Sequence, residues 1–166
     1  MTESNALEQL TVGSRLEMWE AAKALVAAEN HQVVPKLLDL MATSCDAERR
    51  VAAAWTLGFL RSSAALEPLI KILDNRSEPS TLRDQAAESL GYVSDPKARE
   101  VLARNLFDEN ADVAFSCAFA FRTVGISDDI PLLEKLATKS SLTNSYGAYV
   151  AQEAREAIEQ IRSRDK

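Results

Sequence analysis

The apolar positions of the chain fall into two alternating helical patterns. In "LEPLIKIL", Leu66, Leu69, Ile70 and Leu73 lie at i, i+3, i+4 and i+7, one face of a helix; Val34, Leu37, Leu38 and Met41 of "VVPKLLDLM" repeat that spacing. "REVLARNL" and "DIPLLEKLA" continue the set, aligned on Pro35, Pro68, Val101 and Pro131. Proline is tolerated in a first helical turn, where its missing N–H has no partner to lose. The second pattern is rich in alanine. "AAAWTLG", "QAAESLG" and "FAFRTVG" end at Gly58, Gly91 and Gly125, which are 33 and 34 residues apart. Ala53, Ala86 and Ala120 precede the glycines by five positions, and Leu57, Leu90 and Val124 by one. Ala21 with Leu25, and Ala154 with Ile158, extend the register to five copies, with Val26 and Glu159 at the glycine site. Glycine near a helix end serves a tight exit or a close packing contact. Ser94 or Asp95, and Ser127 or Asp128, are placed to cap the helices that follow.

A helix pair of about this length cannot bury its own apolar face, so pairs must stack into one continuous core. The pattern predicts an all-α fold, an α-solenoid of about five helix pairs with nine or ten helices. It predicts a single domain over residues 1–166: an N-terminal cap or partly disordered stretch at 1–13, stacked pairs over 14–162 and a tail at 163–166. The last helix is expected from about Asn144 to Arg162, with a polar outer face.

These motifs resemble the HEAT-repeat family, and more closely its phycobilisome-lyase HEAT-like variant. That repeat reads roughly "A-x-x-P-L-x-x-x-L-x-D", then "V-R-x-x-A-A-x-A-L-G". "LEPLIKILD" matches the first half; "RRVAAAWTLG" and "LRDQAAESLG" match the second. Arg50 and Arg83 fall on the family arginine. The resemblance implies that they bond between repeats to turn aspartates such as Asp46, Asp74 or Asp108. Cys117 stands at the third arginine site, where such a ladder is interrupted. The resemblance also implies that the alanine-rich helices line the concave surface.

A period of 3.6 residues then sorts their positions. Counting back from the glycine site, position −7 holds Trp19, Val51, Asp84, Ala118 and Gln152, and position −3 holds Lys23, Trp55, Glu88, Arg122 and Glu156. Charge at four of five −3 sites marks a face turned to water, and Trp55 is the exception. Trp19, Val51 and Trp55 are therefore expected to form an apolar patch in the concave face. Lys23, Asp84, Glu88 and Arg122 complete the candidate partner-binding set. The opposing reading packs Trp55 on Trp19 as part of the structure. Phe115 and Phe121 extend a weaker patch, unless their helix turns Phe119 and Phe121 into the core. Asp84 and Glu88 give the groove an acidic strip suited to a partner with basic residues.

Composition narrows the function classes. Net charge is −6, which opposes nucleic-acid binding, since that needs Lys and Arg to displace counterions. No apolar run approaches the roughly 20 residues that span a membrane, and "MTESNALEQL" lacks the features of a secretory signal. A cytoplasmic location is expected. Cys45 and Cys117 read as reduced thiols acting as small hydrophobes. His31 is the only histidine; clustered Cys and His for zinc are absent, as is a glycine-rich phosphate loop. The lone histidine also speaks against the di-iron hydroxylases built on HEAT repeats. Asp84 and Glu88, at i and i+4, read as surface charge rather than as a general acid and base. The expectation is a non-enzymatic interaction module without cofactor or metal, monomeric or weakly oligomeric. It would bind a protein partner, as an immunity or inhibitor protein or an adaptor. The alternative is an accessory subunit of an enzyme, such as a bilin lyase-type chaperone.

Overall fold

Ten α-helices alternate between two rows in a computed structural model that describes residues 2–166; residue 1 of the expected cap lies outside it. The outer row is α1 (Glu3–Val12), α3 (Val34–Thr43), α5 (Leu66–Asp74), α7 (Arg99–Asn105) and α9 (Ile130–Lys139). The inner row is α2 (Arg15–Ala27), α4 (Ala47–Phe59), α6 (Ser80–Val93), α8 (Ala111–Val124) and α10 (Val150–Arg164). No strand occurs among the described residues; the single β-bridge joins Thr143 to Tyr149. The fold is an all-α solenoid. Each inner helix packs on the next along the row, and each outer helix packs on an inner one. Between the rows lie fully buried Leu37, Leu57, Leu69, Leu73, Leu82, Leu90 and Leu102.

Four one-turn 3-10 segments, at His31–Val33, Ser63–Ala65, Pro96–Ala98 and Ser127–Asp129, lead into the outer helices. The side chain of Asp95 caps one of these turns by accepting from the Lys97 N–H at 2.9 Å, while Asp129 caps another by accepting from the Ile126 N–H at 2.8 Å. Ser94 takes a different job: it ends α6 in the left-handed region at φ 58°. Glu29 and Arg61, at φ 48° and 50°, occupy the same place after α2 and α4. The glycines are therefore not the left-handed caps of these helices. A Cβ on Gly58 would stand 2.6 Å from the Ser89 Oγ and 2.9 Å from its Cα, and one on Gly91 would stand 3.0 Å from the Ala120 Cα. Their role is close approach of neighbouring inner helices. Hydroxyls reinforce it, with Ser89 donating to the Ala54 carbonyl at 2.9 Å and Thr123 to the Gly91 carbonyl at 2.8 Å. Glycine and alanine bring the inner helices into closer contact than the outer ones, a spacing that curves such a stack toward its inner row.

Arginine–carboxylate pairs about one repeat apart in sequence tie the stack. Arg50 donates through Nε to the Met41 carbonyl at 2.7 Å and through both terminal nitrogens to Glu78 at 2.6 and 2.7 Å. That bond holds the Glu78 carboxyl below its ordinary range. Arg83 repeats the plan: Nε donates to the Leu73 carbonyl at 3.2 Å, and Nη2 to Asn105 and Asp108. Arg50 thus meets a glutamate of the connector. Asp74 pairs with Arg104, and Asp46 with Arg49. At the third site the Cys117 side chain is buried, and burial pushes its thiol pKa up. Cys45 is likewise a free thiol, but it is exposed and so does not pack as a small hydrophobe.

Candidate partner-binding groove

The inner face carries a continuous row of aromatic rings. Trp19 of α2 meets Trp55 of α4 edge-on, centroids 5.9 Å apart. Trp55 stacks on Phe59 of the same helix at 4.5 Å, and Phe59 on Tyr92 of α6 at 4.4 Å. Tyr92 meets Phe119 of α8 at 5.7 Å, and the Arg122 guanidinium lies over the Phe119 ring at 5.5 Å. Five rings and one cation thus cross four successive inner helices. The row follows from spacing: Val51, Trp55 and Phe59 stand at i, i+4 and i+8, as do Asp84, Glu88 and Tyr92, so each triplet shares a face. Trp19, Val51, Trp55, Tyr92 and Phe119 are half-buried, and Phe59 is 37% exposed. The two sequence alternatives for Trp55 meet here, because it packs on Trp19 while presenting a partly open ring to the groove.

The polar members differ in what they are free to do. Lys23 is exposed and 3.5 Å from Glu20. Arg122 is committed within the fold, with Nε 2.5 Å from Glu153 and Nη2 bonded to Glu156, both on α10. Burial pushes the Glu153 carboxyl up, against the pull of Arg122. Trp19 donates to Glu48 at 3.5 Å, and the same carboxylate pairs with Arg15 at 2.5 Å. Phe121 at −4 is buried, as Ala54 and Ala87 are at that position; but Ala118 at −7 is buried where Val51 and Asp84 are half-open, and Phe119 at −6 faces the groove where Ala52 and Gln85 are buried. α8 is therefore turned relative to α4 and α6. Phe59 and Tyr92 lie one residue beyond Gly58 and Gly91, outside the positions −10 to −1 that the repeat sorts.

Beside the rings sits a pocket of about 230 Å³ between α6, α8 and the loop before α10, lined by Asp84, Glu88, Asp112, Phe115, Asn144 and Tyr146 among others. The expected start of the last helix at about Asn144 is not met: residues 144–149 belong to a loop, and α10 begins at Val150. Instead the Asn144 side chain accepts from the N–H groups of Tyr146 and Ala148 at 3.1 and 2.9 Å, and the Ser145 N–H donates to Asp112 at 2.7 Å. Gly147, at φ 84°, supplies the left-handed turn. Tyr146 is held 91% exposed at the rim. Asp84 is not the solvated surface charge its sequence suggests. Desolvation raises its pKa to about 6, with Asp112 and Glu88 adding to the rise and the Ser116 hydroxyl, donating at 2.6 Å, opposing it.

That shift has a stability consequence. The carboxyl binds its proton more tightly folded than unfolded, so Asp84 costs stability progressively as pH rises from about 4 to 6, and the cost persists above. Asp84→Asn removes the charge and keeps an acceptor for Ser116. At pH 7.5 it is expected to stabilise the protein by roughly 1–2 kcal/mol, after allowance for partial exposure, and at pH 4 hardly at all. Thermal unfolding at both pH values checks this; equal effects at the two would rule the explanation out.

A family model described as HEAT repeats matches residues 66–159, and one described as PBS lyase HEAT-like repeat matches residues 49–75. The chain belongs to the HEAT-repeat family. Among solved structures, this HEAT-repeat chain is similar to one of the complex of CpcE and CpcF of phycocyanin lyase from Nostoc, with TM-score 0.75 and 22% identity over 98% of this chain and 66% of that one. An engineered protein matches with TM-score 0.67 and 23% identity, over 98% of this chain and 81% of that one. At these identities the likeness is one of fold. The curated relatives are deoxyhypusine hydroxylases: chicken at 35% identity over 69 residues, rat at 32% over 69 and human at 36% over 70. Each match spans 42% of this chain and only 23% of the relative.

These matches correct the expectation that the chain is no enzyme: its relatives are named for one, and the Nostoc structure is of a lyase complex. The lack of a catalytic motif did not license that conclusion, because one solenoid serves many activities. The chain's own donors do not fit a di-iron centre. His31 is alone and exposed, and among the described residues no group of three or more His, Cys, Asp or Glu side chains is placed to hold a metal ion. No helix among the described residues is long and apolar enough to cross a membrane.

Proposed function

We propose that this HEAT-repeat chain is a protein-binding subunit working within an enzyme assembly, and that its concave face receives a segment of the partner. The observation that carries the reading is the row from Trp19 to Phe119, five rings in contact and partly open along one groove. Aromatic side chains give large contact area at low cost in conformational entropy, and they dominate binding energy where they anchor an interface. Trp19, Val51 and Trp55 form the apolar end, Asp84 and Glu88 the acidic middle. Lys23 lies at the rim, and Arg122 ends the row as a stacked cation. The names of the relatives, and the fact that the Nostoc structure is a complex of two chains, support placing the protein in an enzyme assembly.

The test is capture from extract of the native cell with wild type beside Trp55→Ala/Phe59→Ala. Circular dichroism establishes that the variant is folded. Wild type is expected to retain a partner that the folded variant loses, with affinity falling by about 100-fold if each ring contributes a typical anchor's share. A partner kept equally by both proteins would place the docking surface elsewhere.

A further inference from the structure

Asp84, Glu88 and Asp112 stand together in the groove and meet neutral donors: the Ser116 hydroxyl, the Gln85 amide with the Tyr92 hydroxyl, and the Ser145 backbone N–H. One repeat further on, the same face solves this arrangement from within. Arg122 lies over the Phe119 ring and pairs with Glu153 and Glu156. At the same place in the sequence repeat α6 has Glu88 where α8 has Arg122, while Tyr92 offers a ring and the pocket offers carboxylates. The aromatic row thus runs beside a pocket with rings and negative charge but no cation of its own. We infer that the groove takes an extended segment of a partner protein that carries an arginine, whose guanidinium enters the pocket between Glu88 and Asp112 while adjacent apolar side chains lie along Phe59 and Trp55. The inference rests on the reading of the inner face as a docking groove and adds the chemistry of the occupant.

The choice of arginine follows from geometry and charge. A planar guanidinium stacks on a ring and pairs with carboxylates through a fixed fork, as Arg122 does here, whereas an ammonium is a strongly hydrated point charge. Tyr146, held at the rim by the Asn144 turn, adds a second ring for cation–π contact. An acidic segment, or the phosphates of a nucleic acid, would meet like charge from three carboxylates.

The test uses the full chain, immobilised, with a phage-displayed library of random dodecapeptides. Enriched sequences are expected to carry arginine next to apolar residues. A fluorescent copy of the best peptide is expected to lose about tenfold in affinity when its arginine becomes glutamine, and a similar factor against Glu88→Gln. It is expected to fail against Glu88→Arg, which supplies the cation from within, while Glu88→Gln remains folded by circular dichroism. Selected peptides that need Trp55 and Phe59 but carry no arginine would overturn the inference and leave the docking groove standing. Peptides indifferent to Trp55→Ala/Phe59→Ala, or no enrichment at all, would overturn both.

Discussion

Asp108→Ala is expected to destabilise the protein by about 3–5 kcal/mol, the usual result of removing one partner from a buried ion pair. The Asp108 side chain is fully buried and that of Arg83 is 6% exposed. The carboxylate accepts from Arg83, from Arg76 at 2.5 Å and from the Asn110 N–H at 2.9 Å. Without it Arg83 keeps only the Asn105 and Leu73 oxygens for a charge it cannot shed. Arg76, 56% exposed, can turn to water. The midpoint of thermal unfolding is expected to fall by on the order of 10 °C. Asp74→Ala is the control. Its pair with Arg104 is about half exposed on both sides, so its loss is expected to cost under about 1 kcal/mol. Replacing both buried partners with apolar residues, as in Arg83→Met/Asp108→Leu, is expected to recover much of the loss, because no charge is left stranded. Equal costs for Asp108→Ala and Asp74→Ala would contradict the account. The pair matters for the groove because Arg83 lies on α6, the helix that presents Asp84, Glu88 and Tyr92.

The fold was legible because a 32-to-34-residue period writes itself five times, and because glycine and alanine recur wherever inner helices touch. What a period does not encode is where each helix ends and how it is rotated. Phe59 and Tyr92 were missed through the first gap. Glycine near a helix end allows a tight exit or close packing; here it packs, α4 and α6 continue to Phe59 and Val93, and the left-handed caps fall to Glu29, Arg61 and Ser94. The i+4 steps from Trp55 to Phe59 and from Glu88 to Tyr92 were the available signal. Local chemistry misled in the loop before α10. Residues 144–149 fit a helix by pattern, but Asn144 bonds to its own following backbone and Gly147 turns left-handed. The Arg50 partner was hidden because Glu78 sits in an irregular connector whose path no periodicity sets. The motifs mark a repeat and carry no activity of their own, and the stretch matched in the hydroxylases is under a quarter of those relatives.

Rotation of α8 separates two phenylalanines two residues apart, and their substitutions are expected to act on different properties. Phe121 is fully buried in the core, so Phe121→Ala is expected to cost about 3–5 kcal/mol through lost burial and a cavity. Phe119 is half-buried, touching Tyr92 at its edge and carrying Arg122 over its face. Phe119→Ala is expected to cost about 1–2 kcal/mol, the loss of a ring contact and a cation–π contact with little cavity. Arg122 keeps Glu153 and Glu156. In binding the order reverses: at a temperature where both variants are folded, Phe119→Ala is expected to weaken a groove-bound peptide, and Phe121→Ala to leave it nearly unchanged. Urea unfolding and peptide titration on the same two proteins read both properties. Had α8 kept the rotation of α4, position −6 would be buried, as Ala52 is, and Phe119→Ala would act on stability and not on binding, so the pair of variants measures which way the helix is turned.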